Sequence, residues 1–339
     1  MSSQAYVLTR HGAPDVLRPT TRSEPRPGPG QVRVRVEAIG LNYAEILSRK
    51  GLYGWAPKLP YVLGMEAAGN IDDVGEGVGR SPGEAVVVGT QHGAYATSLV
   101  VEEAAALPAI EGFSAEENAA FPVNYLTAWV GLVESGRVHP GDRVLISPAG
   151  GGVGTAAVQI ANRLGCTVIA AAGSDRKLQR VRELGADATV NYRSDRWEDR
   201  LREVAGDRGI DVALEMVGGE VFDAAKNSLA PFGRVVVAGY ASLDYTLWSP
   251  LSLWRAWRGR PRMPLREMLT RSIGMSSSHV GYLVPHTGLL RRIWGDLVGF
   301  VHKHGVRPQV GHVLAFGDAA EAHRLIESRE SYGKVVLRV

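Results

Sequence analysis

A glycine-rich segment between a buried strand and a helix constrains the fold of this chain more than any other feature. Residues 144–147 are apolar enough for a buried strand, and residues 149–154 follow them and open a helical pattern. Such a turn lets a pyrophosphate approach the backbone, and the helix N-terminus directs amide groups at it. Glycines can also mark a simple tight turn, but the order strand, turn, helix favours a dinucleotide. We predict that the pyrophosphate binds at Gly150, Gly151, Gly152 and Val153.

The residues after the next strand indicate which dinucleotide binds. That strand, residues 168–172, ends in Gly173-Ser174 and lacks the carboxylate that usually holds the ribose 2′-hydroxyl of NAD. Asp175 lies beyond the strand end, where it is typical of a helix's first turn. The Ser174 hydroxyl, the helix amides and Lys177 suit a 2′-phosphate, although a plain helix cap beside a solvated lysine is the alternative. We predict NADPH, bound at Gly173, Ser174 and Lys177.

Composition indicates a globular protein of about two domains and excludes several functions. The chain has 339 residues, of which 45% are hydrophobic and 22% charged. A net charge of +3 gives no reason to expect nucleic-acid binding. Cys166 is the only cysteine, which excludes internal disulfides and a four-cysteine zinc site. Because we find no signal sequence and no apolar run of about 20 residues, we expect a cytoplasmic protein without a transmembrane segment.

The pattern of strands and turns changes near residue 125. Before it, short alternating strands such as residues 32–36 are separated by glycine and proline turns, which is typical of a β-rich, barrel-like domain. After it, buried strands alternate with helices, which predicts a doubly wound parallel sheet. A helix over 289–304 then leads back to short strands at 313–316 and 335–339. We predict an α/β fold in which a split β-rich domain encloses a nucleotide-binding domain.

Residues 245–271 combine tryptophan with an excess of arginine. Only Glu267 opposes the arginines there. We favour a surface insertion with apolar anchors at a subunit contact. A patch for acidic lipid at a membrane surface is the alternative, and nucleic acid is the least favoured partner. The residues concerned are Trp248, Trp254, Arg255, Trp257, Arg258, Arg260, Arg262, Arg266 and Arg271.

Several motifs occur in order along the chain: Asn42-Tyr43, Gly51-Leu52-Tyr53, Gly64-Met65-Glu66-Ala67-Ala68-Gly69, Asn124-Tyr125-Leu126-Thr127-Ala128, Ala172-Gly173-Ser174-Asp175-Arg176-Lys177 and Gly333-Lys334-Val335-Val336. Together they resemble the zinc-independent medium-chain dehydrogenase/reductases, in the NADPH:quinone oxidoreductase group. The segments 124–128 and 278–283 look closest to the vesicle amine transport protein-like branch of that group.

The resemblance implies a domain organisation and an assembly. A GroES-like catalytic domain would comprise residues 1–124 and 285–339, and a Rossmann domain residues 125–284. The two would enclose a cleft, and a homodimer would form through the edge strands of the Rossmann sheets. The resemblance also implies further cofactor-binding residues, namely Asn124, Thr127, Tyr192, Val217, Gly239, Tyr240 and Ser278. Helix capping is the alternative role for Asn124 and Thr127, and core packing is the alternative for Tyr192.

The zinc-binding positions of this superfamily are altered here. Alcohol dehydrogenases of the superfamily hold catalytic zinc through a cysteine and a histidine, where this chain has Asn42 and Met65. Neither side chain is a good zinc ligand, and Glu66 alone does not make a three-ligand site. We therefore expect no catalytic metal, and we expect Glu66 to hold a helix or loop amide rather than act as a base.

Hydride delivery to an already electrophilic carbon is the reaction that remains without a metal. An enone or a quinone accepts hydride while its oxygen gains negative charge and then a proton. Asn42, Tyr43 and Tyr53 are suitable donors to that oxygen, although each also has a packing role as its alternative. We predict an NADPH-dependent reductase of a small quinone or α,β-unsaturated carbonyl.

Two other functions remain open at this point. The same site would serve a reductive step on an enoyl thioester or polyketide intermediate. A protein of another class, a nucleotide-binding adaptor at a membrane surface, would also keep the fold. NADPH consumption with simple quinones and enones distinguishes an enzyme from the adaptor, because an adaptor would bind NADPH without turnover.

Overall fold

The computed structural model describes residues 2–239 and 259–339, which divide into two units. The first unit is Met1–Asn124 together with Gly281–Val339, and the second unit is Tyr125–Val280. The chain thus returns to the first unit at Gly281, slightly before the predicted boundary at residue 285. Residues 245–258 of the tryptophan- and arginine-rich segment and the predicted site residue Tyr240 lie outside the described residues.

The first unit begins with short strands separated by turns. The strands are β1 (Ser2–Leu8), β2 (Pro19–Ser23), β3 (Gln31–Gly40), β4 (Tyr61–Val62), β5 (Glu66–Val74), β6 (Ala85–Gly89), β7 (Ser98–Glu102) and β8 (Ala106–Pro108). The helices are α1 (Tyr43–Lys50), α2 (Ala115–Ala120) and α3 (Pro122–Trp129), of which α3 continues into the second unit. In β3 the alternating Val32, Val34 and Val36 are buried, so the predicted strand over 32–36 is confirmed.

The second unit alternates strands and helices. They are β9 (Arg143–Ser147), α4 (Gly152–Arg163), β10 (Thr167–Ala172), α5 (Asp175–Glu183), β11 (Ala188–Asn191), α6 (Trp197–Ala205), β12 (Ile210–Glu215), α7 (Gly219–Asn227), β13 (Leu229–Val237), α8 (Leu265–Arg271) and β14 (Gly274–Ser277). The strands form a parallel sheet in the order β11-β10-β9-β12-β13-β14. The chain changes direction across the sheet between β9 and β12, as the predicted doubly wound fold requires.

The last part of the chain completes the first unit. It contains α9 (Thr287–His304), β15 (Val310–Ala315), α10 (Ala319–Glu327) and β16 (Lys334–Arg338). One sheet has the order β15-β16-β3-β5-β6-β8, with β7 also paired to β3, and a smaller sheet has the order β2-β1-β4. The first unit buries its own hydrophobic core between these elements, and the second unit has another core around its parallel sheet. Among the described residues, no helix has the length and hydrophobicity needed to span a membrane.

Candidate functional site

The glycine-rich turn connects β9 to α4 in the second unit. Gly151 is the N-cap residue of α4, with a φ of −90°. A Cβ atom added to Gly154 would lie 2.1 Å from the carbonyl oxygen of Pro148, so the turn and helix pack too closely for any side chain there. A Cβ atom added to Gly151 would meet no atom within 4 Å. The two glycines therefore have different roles: Gly154 permits close packing, and Gly151 leaves space beside the helix N-terminus.

The carboxyl end of β10 has the polar residues that the sequence predicted. Ser174 is the N-cap residue of α5, but its side chain makes no capping hydrogen bond, which argues against a plain cap. The Asp175 carboxylate instead accepts a hydrogen bond from Asn191 Nδ2 at 3.0 Å. Asp175 is thus held by the neighbouring strand end and not directed at a ribose from the end of β10.

Two basic side chains lie beside the glycines of this region. The methylene carbons of Lys177 lie 2.9–3.3 Å from where a Gly150 Cβ would be. Near Gly173, the corresponding Cβ position is 3.2 Å from a ring carbon of Tyr192 and 3.0 Å from Nε of Arg193. The structure therefore brings Lys177 to the glycine-rich turn and Tyr192 to Gly173. Sequence analysis missed Arg193, although its position two residues after β11, at the carboxyl edge of the sheet, was a usable signal.

A buried carboxylate organises the loop after β12. Glu215 is fully buried, and its carboxylate accepts hydrogen bonds from the Val217 amide (2.7 Å) and the Gly218 amide (3.0 and 3.1 Å). Burial raises the pKa of Glu215 to about 7, and these backbone hydrogen bonds act in the opposite direction. The predicted cofactor residue Val217 is therefore fixed by a residue that the sequence analysis did not identify.

Two buried hydroxyls at this edge of the sheet lack a partner. Ser147 ends β9 and Ser278 follows β14, and in the part of the chain described neither Oγ makes a hydrogen bond. Buried polar atoms are almost always paired, so such hydroxyls indicate a place where a ligand or water binds. Together with the open space at Gly151, they fit a dinucleotide at the carboxyl ends of the strands. Gly239, two residues after β13, lies near Met216 at the same edge.

The raised pKa of Glu215 predicts a pH-dependent stability. Between pH 4.5 and 7 the folded protein retains a proton that the unfolded chain has lost, so the free energy of unfolding falls as pH rises through this window. Glu215→Gln removes this contribution. We expect the free energy of unfolding of the variant, measured relative to wild type at the same pH, to rise by about 1–3 kcal/mol from pH 5 to pH 7.5. Urea unfolding at several pH values measures it, with the exposed Glu220→Gln as control; parallel profiles for wild type and Glu215→Gln would refute the prediction.

A buried polar network lies in the first unit. The Asn42 carboxamide donates from Nδ2 to Glu66 Oε1 at 2.8 Å, and its Oδ1 accepts from Lys334 Nζ at 2.8 Å. Lys334 also donates to Glu66 Oε1 and, at 3.4 Å, to Asn124 Oδ1. Nδ2 of Asn124 donates to the carbonyl oxygen of Ala120 at 3.0 Å. The side chains of Asn42 and Asn124 are thus engaged within the unit, which favours positioning roles over direct contact with a substrate.

Glu66 connects this network to the first turn of α3. Its Oε2 accepts a hydrogen bond from the Val123 amide at 2.7 Å. The expectation that Glu66 holds a helix amide is confirmed. Because α3 carries Asn124 and the buried Thr127, the network fixes the start of the helix on which two predicted cofactor residues lie.

A second buried carboxylate adjoins the network. Glu45 accepts hydrogen bonds from the Asn42 amide (2.9 Å), the Met65 amide (2.9 Å) and the Tyr95 hydroxyl (2.7 Å). Burial raises the pKa of Glu45 to about 7, with a further increase from the Glu66 charge, while the hydrogen bonds from Asn42 and Tyr95 and the Lys334 charge lower it. Tyr95 also contacts Nε2 of His323 at 3.0 Å, and burial lowers the pKa of His323 to about 3. The imidazole is therefore neutral at physiological pH.

The two predicted catalytic tyrosines lie at opposite ends of α1. Tyr43 is its first residue and is half-buried, and Tyr53 follows the left-handed C-cap Gly51. Burial raises the pKa of Tyr53 to about 12. Its phenol therefore carries a proton at neutral pH and retains the ability to donate a hydrogen bond.

The described residues contain no group of three or more His, Cys, Asp and Glu side chains placed to hold a metal ion. Asn42 and Met65 occupy the two positions at which the superfamily's alcohol dehydrogenases have zinc ligands, and both are buried in contact with the carboxylates described above. The Asn42 side-chain amide donates to Glu66 and the Met65 backbone amide donates to Glu45, so hydrogen bonds engage both carboxylates at this place.

Comparison with known proteins places these features in a family. A model described as zinc-binding dehydrogenase matches residues 152–281, and one described as alcohol dehydrogenase GroES-like domain matches residues 28–112. The synaptic vesicle membrane protein VAT-1 homolog of Rattus norvegicus is 32% identical over 98% of this chain and 83% of its own length.

Solved structures extend the similarity to the fold. The quinone oxidoreductase of Thermus thermophilus, also solved in complex with NADPH, is 32% identical with a TM-score of 0.80, covering 99% of this chain and 100% of that one. A structure described as an NAD-dependent alcohol dehydrogenase is 35% identical with a TM-score of 0.84, covering 99% of both chains. Taken with the loss of the zinc-ligand residues, these matches show that the chain belongs to the zinc-independent medium-chain dehydrogenase/reductases, in the quinone oxidoreductase group.

Proposed function

We propose that this protein is an NADPH-dependent reductase that transfers hydride to a quinone or an α,β-unsaturated carbonyl compound without a metal ion. The observation that carries the proposal is the carboxyl end of β10, where a serine, helix amides and Lys177 take the place of the NAD-type carboxylate. The related quinone oxidoreductase solved with NADPH supports it. The similar structure described as NAD-dependent makes the cofactor preference the first point to measure.

NADPH supplies the hydride when bound, and we assign its binding to the second unit. The amides at Gly150, Gly151, Gly152 and Val153 would hold the pyrophosphate at the N-terminus of α4. Ser174 and Lys177 would bind the 2′-phosphate beside Gly173, with Tyr192 against the adenosine and Val217, Gly239 and Ser278 at the remaining strand ends. Asn124 and Thr127 on α3, and Tyr240, are also assigned to the cofactor.

The substrate oxygen needs a hydrogen-bond donor as it gains negative charge. We assign that role to the Tyr53 phenol, whose pKa of about 12 keeps it protonated, and to Tyr43. Asn42 is proposed as a positioning residue, since its carboxamide is engaged by Glu66 and Lys334. No described group is needed as a base in this scheme, and solvent can supply the final proton.

Steady-state oxidation of NADPH with a panel of quinones and enones tests the proposal. We expect turnover with at least one quinone and at least one enone. We also expect that adding zinc does not change the rate. Turnover only with an enoyl thioester would instead favour a biosynthetic reductase. Tight NADPH binding without turnover of any acceptor would favour an adaptor and contradict the enzymatic assignment.

Lys177→Ala tests the cofactor preference. Because the variant loses a charge-assisted contact to a phosphate, we expect NADPH affinity to fall about 10- to 100-fold while NADH affinity stays within about twofold. Calorimetric titration of both cofactors measures it. Arg176→Ala, an exposed neighbour with the same charge change, is the matched control and should leave both affinities unchanged. Equal losses for NADPH and NADH would refute a role for Lys177 at the 2′-phosphate.

We also propose that the protein is cytoplasmic and assembles as a homodimer. Strand β14 is at the edge of the parallel sheet, and its Met275 is 40% exposed. On α8, Leu265 and Leu269 are 69% and 72% exposed. Among the described strands β14 has a neighbour on one side only, and such an edge beside exposed apolar residues favours pairing with a second copy. Sedimentation equilibrium tests the assembly, and a monomer at micromolar concentration would contradict it.

A further inference from the structure

An aromatic cluster on the first unit joins two distant segments of the chain. The rings of Tyr53 and Trp55 meet edge-to-face with centroids 5.5 Å apart, and those of Trp55 and Tyr282 do so at 5.7 Å. The Trp55 indole N–H also donates to the Tyr282 hydroxyl. Gln91 Nε2 donates to the Gly281 carbonyl oxygen at 2.9 Å, which holds the second segment in place. The arrangement is therefore anchored by polar contacts as well as by ring packing.

The outer two rings of this cluster are accessible to solvent. Trp55 is 47% exposed and Tyr282 is 53% exposed, whereas side chains of this size are usually well buried. About half of each of these two side chains is thus accessible beside the ring contacts described above. Between Tyr53 and Trp55, a Cβ added to Gly54 would meet no atom within 4 Å, which leaves space beside the cluster.

From these contacts we propose that Trp55 and Tyr282 form an aromatic wall that recognises the flat ring system of the substrate. The inference rests on the proposed function, in which Tyr53, the inner member of the cluster, donates to the substrate oxygen. A fused-ring quinone has enough flat surface to stack on such rings, and a short aliphatic enone has almost none. The wall should therefore favour fused-ring quinones over small enones, through binding and not through the hydride step.

Kinetics with two acceptors test this proposal. For Trp55→Ala and for Tyr282→Ala we expect the KM for 1,4-naphthoquinone to rise about tenfold with kcat within about twofold, and the KM for methyl vinyl ketone to stay within about twofold. Trp55→Phe retains a ring and should recover most of the loss. Phe232→Ala, which removes an 81% exposed ring from the second unit, is the matched control and should behave as wild type.

Two results would contradict the proposal that Trp55 and Tyr282 recognise the substrate ring. One is an unchanged KM for naphthoquinone in both alanine variants. The other is an equal rise for both acceptors, which would indicate a structural role. If wild type reduces no acceptor, the proposed function fails. Calorimetric titration of naphthoquinone into the intact protein then tests the aromatic wall independently of turnover. Binding to wild type that both alanine variants lose would support the wall, and absence of binding to wild type would contradict it.

Discussion

Replacing Lys334 with methionine is expected to destabilise the protein by about 3–5 kcal/mol, because it leaves a buried carboxylate without its cation. Lys334 is 3% exposed and Glu66, its ion-pair partner, is fully buried. The same ammonium group donates to Asn42 Oδ1, so its loss also removes a buried hydrogen bond. Methionine keeps the unbranched chain as far as the ε position and lacks only the terminal ammonium group, so the loss of stability measures mainly the polar contacts of that group.

Guanidinium unfolding followed by circular dichroism measures this effect. Arg338→Met is the matched control, since Arg338 lies on the same strand β16 and pairs with Glu116 from a side chain that is 66% exposed. We expect the control to lose about 1 kcal/mol or less. The double variant Lys334→Met/Glu66→Gln should recover part of the stability, because no charge is then left unpaired. Equal losses at Lys334 and Arg338, or a double variant less stable than Lys334→Met, would contradict this account of the network.

Gly151→Ala is expected to reduce NADPH affinity about 10- to 100-fold while the free energy of unfolding stays within about 1 kcal/mol of wild type. The protein itself has room for the methyl group, since a Cβ atom there meets nothing within 4 Å and the φ of −90° suits alanine. A fall in affinity would therefore report the bound pyrophosphate, which needs close approach to the backbone.

Gly154→Ala is the contrasting variant for this experiment. Its added Cβ would lie 2.1 Å from Pro148 O and 2.5 Å from the Ala149 carbonyl carbon, which are backbone atoms that cannot move aside without distorting the turn. We expect it to lose stability, which thermal unfolding measures, and calorimetry gives the NADPH affinity of both variants. Undiminished NADPH affinity in Gly151→Ala would contradict the assignment of the pyrophosphate to this turn.

Local sequence patterns were sufficient for the fold of the second unit and for the place of its glycine-rich turn. Strand and helix periodicity act over a few residues, so the alternation from β9 to β14 and the turn at 149–154 were predictable from neighbours in the chain. The same holds for the residues after β10, because Ser174 and Lys177 lie one helical turn apart. Asn42 was predicted as a substrate donor, and no local pattern predicted the contacts of its carboxamide with Glu66 and Lys334.

By itself, the sequence determined the doubly wound nucleotide-binding unit, the glycine-rich turn and the absence of a cysteine–histidine zinc pair, since each follows from residue types at short spacing. Only the tertiary structure decided which distant residues meet: Lys334 with Asn42, Trp55 with Tyr282, and the Arg193 side chain with the backbone at Gly173. The physical reason is that buried charges and aromatic rings are satisfied by whichever groups the packed strands bring together. No periodicity along the chain records those pairings.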